Sequence, residues 1–141
     1  MITVRNAQRK TRVELRELQN FAERALELCL REAARPNDSL GKLADIHVVL
    51  VSDQRIAALH KRFMNVSGPT DVITFDHGEI FISTETAGRQ AREFNSSIGD
   101  EIRLYIVHGL LHLRGFDDTT SRARSKMETV QARISAAAAK T

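Results

Sequence analysis

The sequence has no tryptophan, one tyrosine, one cysteine and only two prolines. Each shortage excludes something. A lone cysteine, Cys29, cannot close an internal disulfide, so the chain is not a disulfide scaffold, and a reducing compartment such as the cytoplasm fits it. Cys29 falls on the apolar side of a helical pattern and reads as packing rather than as a reactive thiol. Aromatic residues make up 5% of the chain, so the core has to rest on Leu, Ile, Val and Ala. No apolar run can span a bilayer, and residues 1–10 lack the stretch a signal peptide needs. A soluble, cytoplasmic protein is expected, in one domain covering residues 1–141.

Neither sign of charge dominates. The formal net charge is +3, and its distribution says more than its size. Arg5, Arg9, Lys10 and Arg12 precede the first acid, Glu14. Near the other end, Arg122, Arg124, Lys126, Arg133 and Lys140 face only Glu128. Solvated helix faces often look like this, yet basic ends also suit an anionic polymer such as RNA.

The hydrophobic pattern is clear. Residues 2–4 read as a first strand, and 13–33 as an amphipathic helix with Leu18, Phe21, Ala22, Ala25, Leu28 and Cys29 on one stripe. Residues 36–39 make a loop. A β-branched run at 46–51 is a buried strand, followed by a helix capped by Ser52 or Asp53 and running to Met64, with Ile56, Leu59 and Phe63 inward. Residues 72–75 and 79–83 flank Asp76-His77-Gly78 and form a hairpin. A helix from Thr84 carries Ala87, Ala91 and Phe94. Ser97-Ile98-Gly99-Asp100 resembles a capping box with Asp in place of Glu. The helix after it is apolar almost all round, which belongs in a protein's interior, and Gly115 stops it. A last helix starts near Thr120. The fold expected is α+β: about four strands in a mixed sheet, packed with helices around a buried helix that carries histidines.

The chemistry lies in His108-Gly109-Leu110-Leu111-His112-Leu113-Arg114-Gly115-Phe116-Asp117-Asp118. His108 and His112 are one turn apart and share a face. A pair at this spacing is common by chance, but two unpaired imidazoles on an apolar helix would be costly to bury. Gly115 lets the chain turn back, bringing Asp118 within reach as a third ligand. Two His and a carboxylate with a vacant position suit zinc, and also iron or other divalent ions. The ligand spacing is that of zinc proteases, but those use a Glu directly after the first His as general base. Gly109 occupies that place, which disfavours a protease.

These residues resemble the YbeY family of endoribonucleases and ribosomal RNA maturation factors. Its signature, His-Gly-x-Leu-His-Leu-x-Gly-Tyr-Asp-His, is matched at His108, Gly109, Leu111, His112, Leu113, Gly115 and Asp117, with Phe116 for Tyr and Asp118 for the last His. Pro69-Thr70-Asp71-Val72-Ile73-Thr74-Phe75 and Gly78-Glu79-Ile80-Phe81-Ile82 resemble two of its strands. Met64 stands where many members carry Arg, His60 where Asn is usual, and Glu79 where Asp is usual. The resemblance implies one zinc ion on His108, His112 and Asp118, with single-stranded ribosomal RNA and the small ribosomal subunit as partners. It implies a metal-dependent endoribonuclease of rRNA maturation and subunit quality control. Alternatives are a zinc-braced assembly factor without catalysis and a metal hydrolase of another substrate. Glu101, two turns before His108 on the same stripe, is a candidate proton acceptor. Arg62, with Lys61 and Arg114, is a candidate to hold phosphates. Asp117 is expected to brace the loop by hydrogen bonds.

Overall fold

The computed structural model describes residues 1–140. The elements are β1 (Ile2–Asn6), α1 (Leu15–Arg31), β2 (Ile46–Val51), α2 (Asp53–Met64), β3 (Val72–Phe75), β4 (Glu79–Ser83), α3 (Thr84–Glu93), α4 (Ile98–Leu113) and α5 (Ser121–Ala139). A short 3₁₀ turn, Leu40–Lys42, lies in the loop after α1 and buries Leu40. This is the expected α+β element order. β1 continues two residues past the expected strand, and α1 is shorter than expected at both ends.

The sheet is mixed, with strand order β1-β2-β4-β3. β1, β2 and β4 run parallel, while β3 pairs antiparallel with β4 across the expected hairpin turn, where Gly78 takes φ +108°. Alternation along the strands feeds two cores. Val48, Leu50, Ile80 and Ile82 point to the face that α1 and α4 cover, and they join Leu18, Phe21, Ile106 and Leu110 in the larger core. Val49, Val51, Ile73 and Phe81 face the other way, onto Ile56 and Leu59 of α2. Past the exposed His47, β2 is buried on both faces from Val48 to Val51, which explains its continuous apolar run.

Ser52 caps α2, accepting a hydrogen bond from the Arg55 N–H at 3.2 Å. Asp53 is thereby freed to bind elsewhere. Its carboxylate accepts hydrogen bonds from Ser83 Oγ at 2.6 Å, Thr86 Oγ1 at 2.7 Å and Arg89 Nη1 at 2.7 Å, tying α2 to the β4–α3 junction. Burial pushes this carboxyl up, but the hydrogen bonds from Arg89, Ser83 and Thr86 outweigh it and hold the pKa at about 2.

Two apolar expectations are corrected. Phe63 is 55% exposed and Phe94 is 65% exposed. Phe94 is the C-cap of α3, past the last helical turn that packs inward. Phe63 leans edge-on against Phe75, with ring centroids 5.2 Å apart, on the rim of the smaller core. Cys29 is fully buried, and burial first, with Glu32 second, pushes its thiol up to about 12, so it packs and does not react. No helix among the described residues is long and apolar enough to cross a membrane.

Candidate metal centre

Ser97 caps the start of α4, accepting a hydrogen bond from the Asp100 N–H at 3.0 Å. Only this half of the capping box forms. Asp100 accepts instead from Arg103 at 3.3 Å, its side chain being a methylene shorter than the Glu that reaches back in the full motif. The helix then packs on α1, α3 and α5 and against the β3–β4 hairpin. At Gly109 this approach is at its limit. A Cβ there would lie 2.9 Å from two atoms of Ile80 and 3.1 Å from Thr74 Oγ1. The residue after His108 is thus glycine because the hairpin occupies the space.

One face of α4 remains accessible at its C-terminal end. His108 and His112 project from it with their rings at 82° and their Nε2 atoms 3.0 Å apart. Arg114 is the C-cap of α4, and Gly115 turns the chain at φ +101°, where a side chain would be strained. The returning loop brings Asp118 Oδ2 to 4.0 Å from His112 Nε2. One ligand atom from each of His108, His112 and Asp118 can be chosen so that all lie within 4.8 Å of one another. Asp117 Oδ1 accepts from the Thr119 N–H at 3.1 Å and its hydroxyl at 2.8 Å, bracing the loop as expected.

The imidazole partners define the chemistry. His112 Nδ1 lies 3.1 Å from the Phe116 carbonyl oxygen, which can only accept, so Nδ1 carries the proton and Nε2 of the neutral ring is bare. His108 Nδ1 lies 2.8 Å from Gln131 Oε1, and donation to it leaves the second Nε2 bare as well. Two lone pairs then face each other across 3.0 Å. Burial first, then the neighbouring His108, lowers the pKa of His112, so protonation is a poor way to relieve this repulsion. A cation relieves it. With zinc–nitrogen bonds of about 2.0–2.1 Å, tetrahedral ligand atoms stand roughly 3.3 Å apart, close to the observed separation. The donor set, two bare nitrogens and an adjacent carboxylate, fits a divalent metal ion.

Two cavities open onto these atoms. One, of about 240 Å³, is lined by His108 and Asp118 together with Asp71, Tyr105, Arg124 and Gln131. The other, of about 310 Å³, lies on the hairpin side against His108, His112, Met64, Thr74 and Asp76. Glu101 and Arg62 line neither. Glu101 is buried near the start of α4 and accepts a hydrogen bond from Ser96 Oγ at 2.8 Å. Arg62 is exposed on α2, its guanidinium 5.2 Å from the Phe63 ring centroid.

Arg114 corrects an expectation more sharply. Its guanidinium donates to the carbonyls of Leu30 and Glu32 and to Asp38, so it closes the C-terminal end of α1 and is not available for phosphate. Gln131 and the Phe116 carbonyl, which set the tautomers, were not legible in the sequence. A backbone group has no sequence signal, and Gln131 reaches His108 only because α5 packs on α4.

The family model described as endoribonuclease YbeY matches residues 3–139. The chain belongs to the endoribonuclease YbeY family. A relative named endoribonuclease YbeY from Heliobacterium modesticaldum is 32% identical over 127 residues, covering 75% of this chain and 74% of the relative. Another of that name, from Nautilia profundicola, is 41% identical over 96 residues, covering 61% of this chain and 69% of its own. A solution structure of a Thermotoga maritima protein matches with a TM-score of 0.68 at 26% identity, over 98% of this chain and 89% of that one. Of the two departures from the signature, Phe116 for Tyr and Asp118 for the last His, the second lies in the candidate centre, where a carboxylate with a 49% exposed side chain stands.

Proposed function

We propose that this protein is a zinc-dependent endoribonuclease that cuts single-stranded RNA, acting in the cytoplasm on ribosomal RNA at the small ribosomal subunit. Membership of the YbeY family supports the activity, the hydrolysis of RNA phosphodiester bonds. The observation that carries the metal assignment is the pair of bare Nε2 atoms facing each other beside Asp118. Nitrogen and carboxylate ligands with room for a further one are the set catalytic zinc uses. A zinc ion held there supplies Lewis acidity for the attack of water on a phosphodiester.

The protein's own groups do the rest. Gln131 and the Phe116 carbonyl fix both rings with Nε2 inward, which spares the site any tautomer change on binding. Asp118 contributes a negative charge where an imidazole would be neutral, so the centre is less positive than a three-histidine one and polarises its ligands less. Glu101 and Arg62 are assigned no step: the first is held by Ser96, the second lies against Phe63. A purely bracing ion is disfavoured, because structural zinc sites are closed by four protein ligands and here cavities reach the donor atoms.

The test is cleavage of single-stranded and structured ribosomal RNA by purified protein, with chelator-treated protein and His112→Ala alongside. Cleavage by wild type that disappears in both controls is expected. Equal cleavage by His112→Ala would rule out this centre as the site of reaction.

A further inference from the structure

Beyond the Phe116 loop lies a third cavity, of about 270 Å³, lined by Arg35, Phe116, Asp117, Thr120, Arg122, Ala123 and Lys126. Its charges are unbalanced. Arg122 and Lys126 stand four residues apart on α5 and share a face. Arg35 comes from the loop after α1, its guanidinium stacked 4.1 Å from the Phe116 ring centroid. None of the three forms an ion pair among the described residues. The cavity's one acid, Asp117, bonds Thr119 through one oxygen and feels the charge of Arg35, so a single carboxylate stands against three cations. Like charges one helical turn apart disfavour a helix, so the cluster is a cost that a shared anion would remove.

The contrast with the hairpin side gives the cluster meaning. The cavity there is lined by Met64, Val72, Ile73, Thr74 and Asp76 besides the histidines, and holds no cation. Arg124, between Arg122 and Lys126, lines the cavity that His108 and Asp118 share. That cavity also holds Asp71, Asp118 and Glu128, so of the three cavities beside this loop and the histidines the third is the one in which cations outnumber acids.

We infer that the Arg35–Arg122–Lys126 cavity is a phosphate subsite, holding a backbone phosphate of a single-stranded RNA whose neighbouring phosphodiester lies at His108, His112 and Asp118. This rests on the proposed ribonuclease function. Two arginine forks and an ammonium match phosphate oxygens. One loop links the two positions: Phe116 carries the ring under Arg35 and the carbonyl that orients His112, and Asp118 follows two residues later.

The experiment is fluorescence polarisation of a labelled single-stranded oligoribonucleotide titrated with metal-loaded protein over a range of salt. The variants are Arg122→Glu/Lys126→Glu, the milder Arg122→Ala/Lys126→Ala, and a charge-matched control, Arg55→Glu/Arg92→Glu, on α2 and α3. Both α5 variants should bind at least about tenfold more weakly, with the slope of log affinity against log salt shallower by about 0.7 for each phosphate no longer neutralised. Metal content should stay at the wild-type level, and the control should bind within about twofold of wild type. An α5 pair that binds like the control would overturn the subsite and leave the nuclease assignment standing. Wild type that neither binds nor cuts RNA would overturn both.

Discussion

The two walls beside the histidines are built differently. On the hairpin side, α4 presses so closely on Ile80 and Thr74 that Gly109 has no room for a methyl group, and the cavity lining is neutral or acidic. On the side of α5 and the returning loop, contacts are polar: Gln131 on His108, the Phe116 carbonyl on His112, Arg114 on the end of α1, and a cluster of cations beyond the loop. The hairpin wall fixes where the histidines stand. The α5 wall fixes which nitrogen they offer and what charge surrounds them. Steric precision and electrostatic character are thus assigned to separate elements, and each can be perturbed alone.

The largest effect should come from Arg114→Ala. It strips the hydrogen bonds from the Leu30 and Glu32 carbonyls and leaves Asp38, whose side chain is only 11% exposed, without its cation. A loss of about 3–5 kcal/mol is expected, read from urea unfolding. A loss below about 1 kcal/mol would mean this guanidinium is a surface group after all.

Gln131→Ala should act on affinity rather than on folding. Without its acceptor, His108 can carry its proton on either nitrogen, and divalent metal should bind about 10–100-fold more weakly in a competition titration. Unchanged affinity would break the division of roles between the two walls. Gly109→Ala tests the opposite wall. Overpacking against Ile80 should cost about 1–3 kcal/mol in stability; a neutral outcome would show that the hairpin can yield.

The smallest effect concerns the anchor behind the hairpin, Asp53. Its folded pKa of about 2 lies below the usual carboxylate value. The stabilisation is therefore fully present above about pH 4 and is lost as pH falls towards 2. Asp53→Asn should cost about 1 kcal/mol at neutral pH and flatten this part of the acid unfolding curve. An acid limb identical to wild type would show that Asp53 anchors nothing.

Much of this was readable in the residues. Periodicity located every strand and α-helix, and Gly78 and Gly115 marked turns that do require positive φ. The convergence of His108, His112 and Asp118 was legible because helical spacing and a glycine exit are local rules. What was not legible depends on tertiary contact. β4 lies between β2 and β3, an order that no local pattern encodes. Phe63 and Phe94 obey the helical period but sit at helix ends, where the packed face runs out. Arg114 looks like any basic residue beside a metal motif until the end of α1 is seen against it. In the sequence Gly109 stands out as a missing general base and a matched signature position, and its physical reason, contact with Ile80, needs the sheet in place.

The most direct test is elemental analysis of purified wild type and of His108→Ala/His112→Ala, both confirmed folded by circular dichroism. The metal assignment predicts about one divalent ion per wild-type chain and none in the variant. A folded variant that keeps its metal would contradict it.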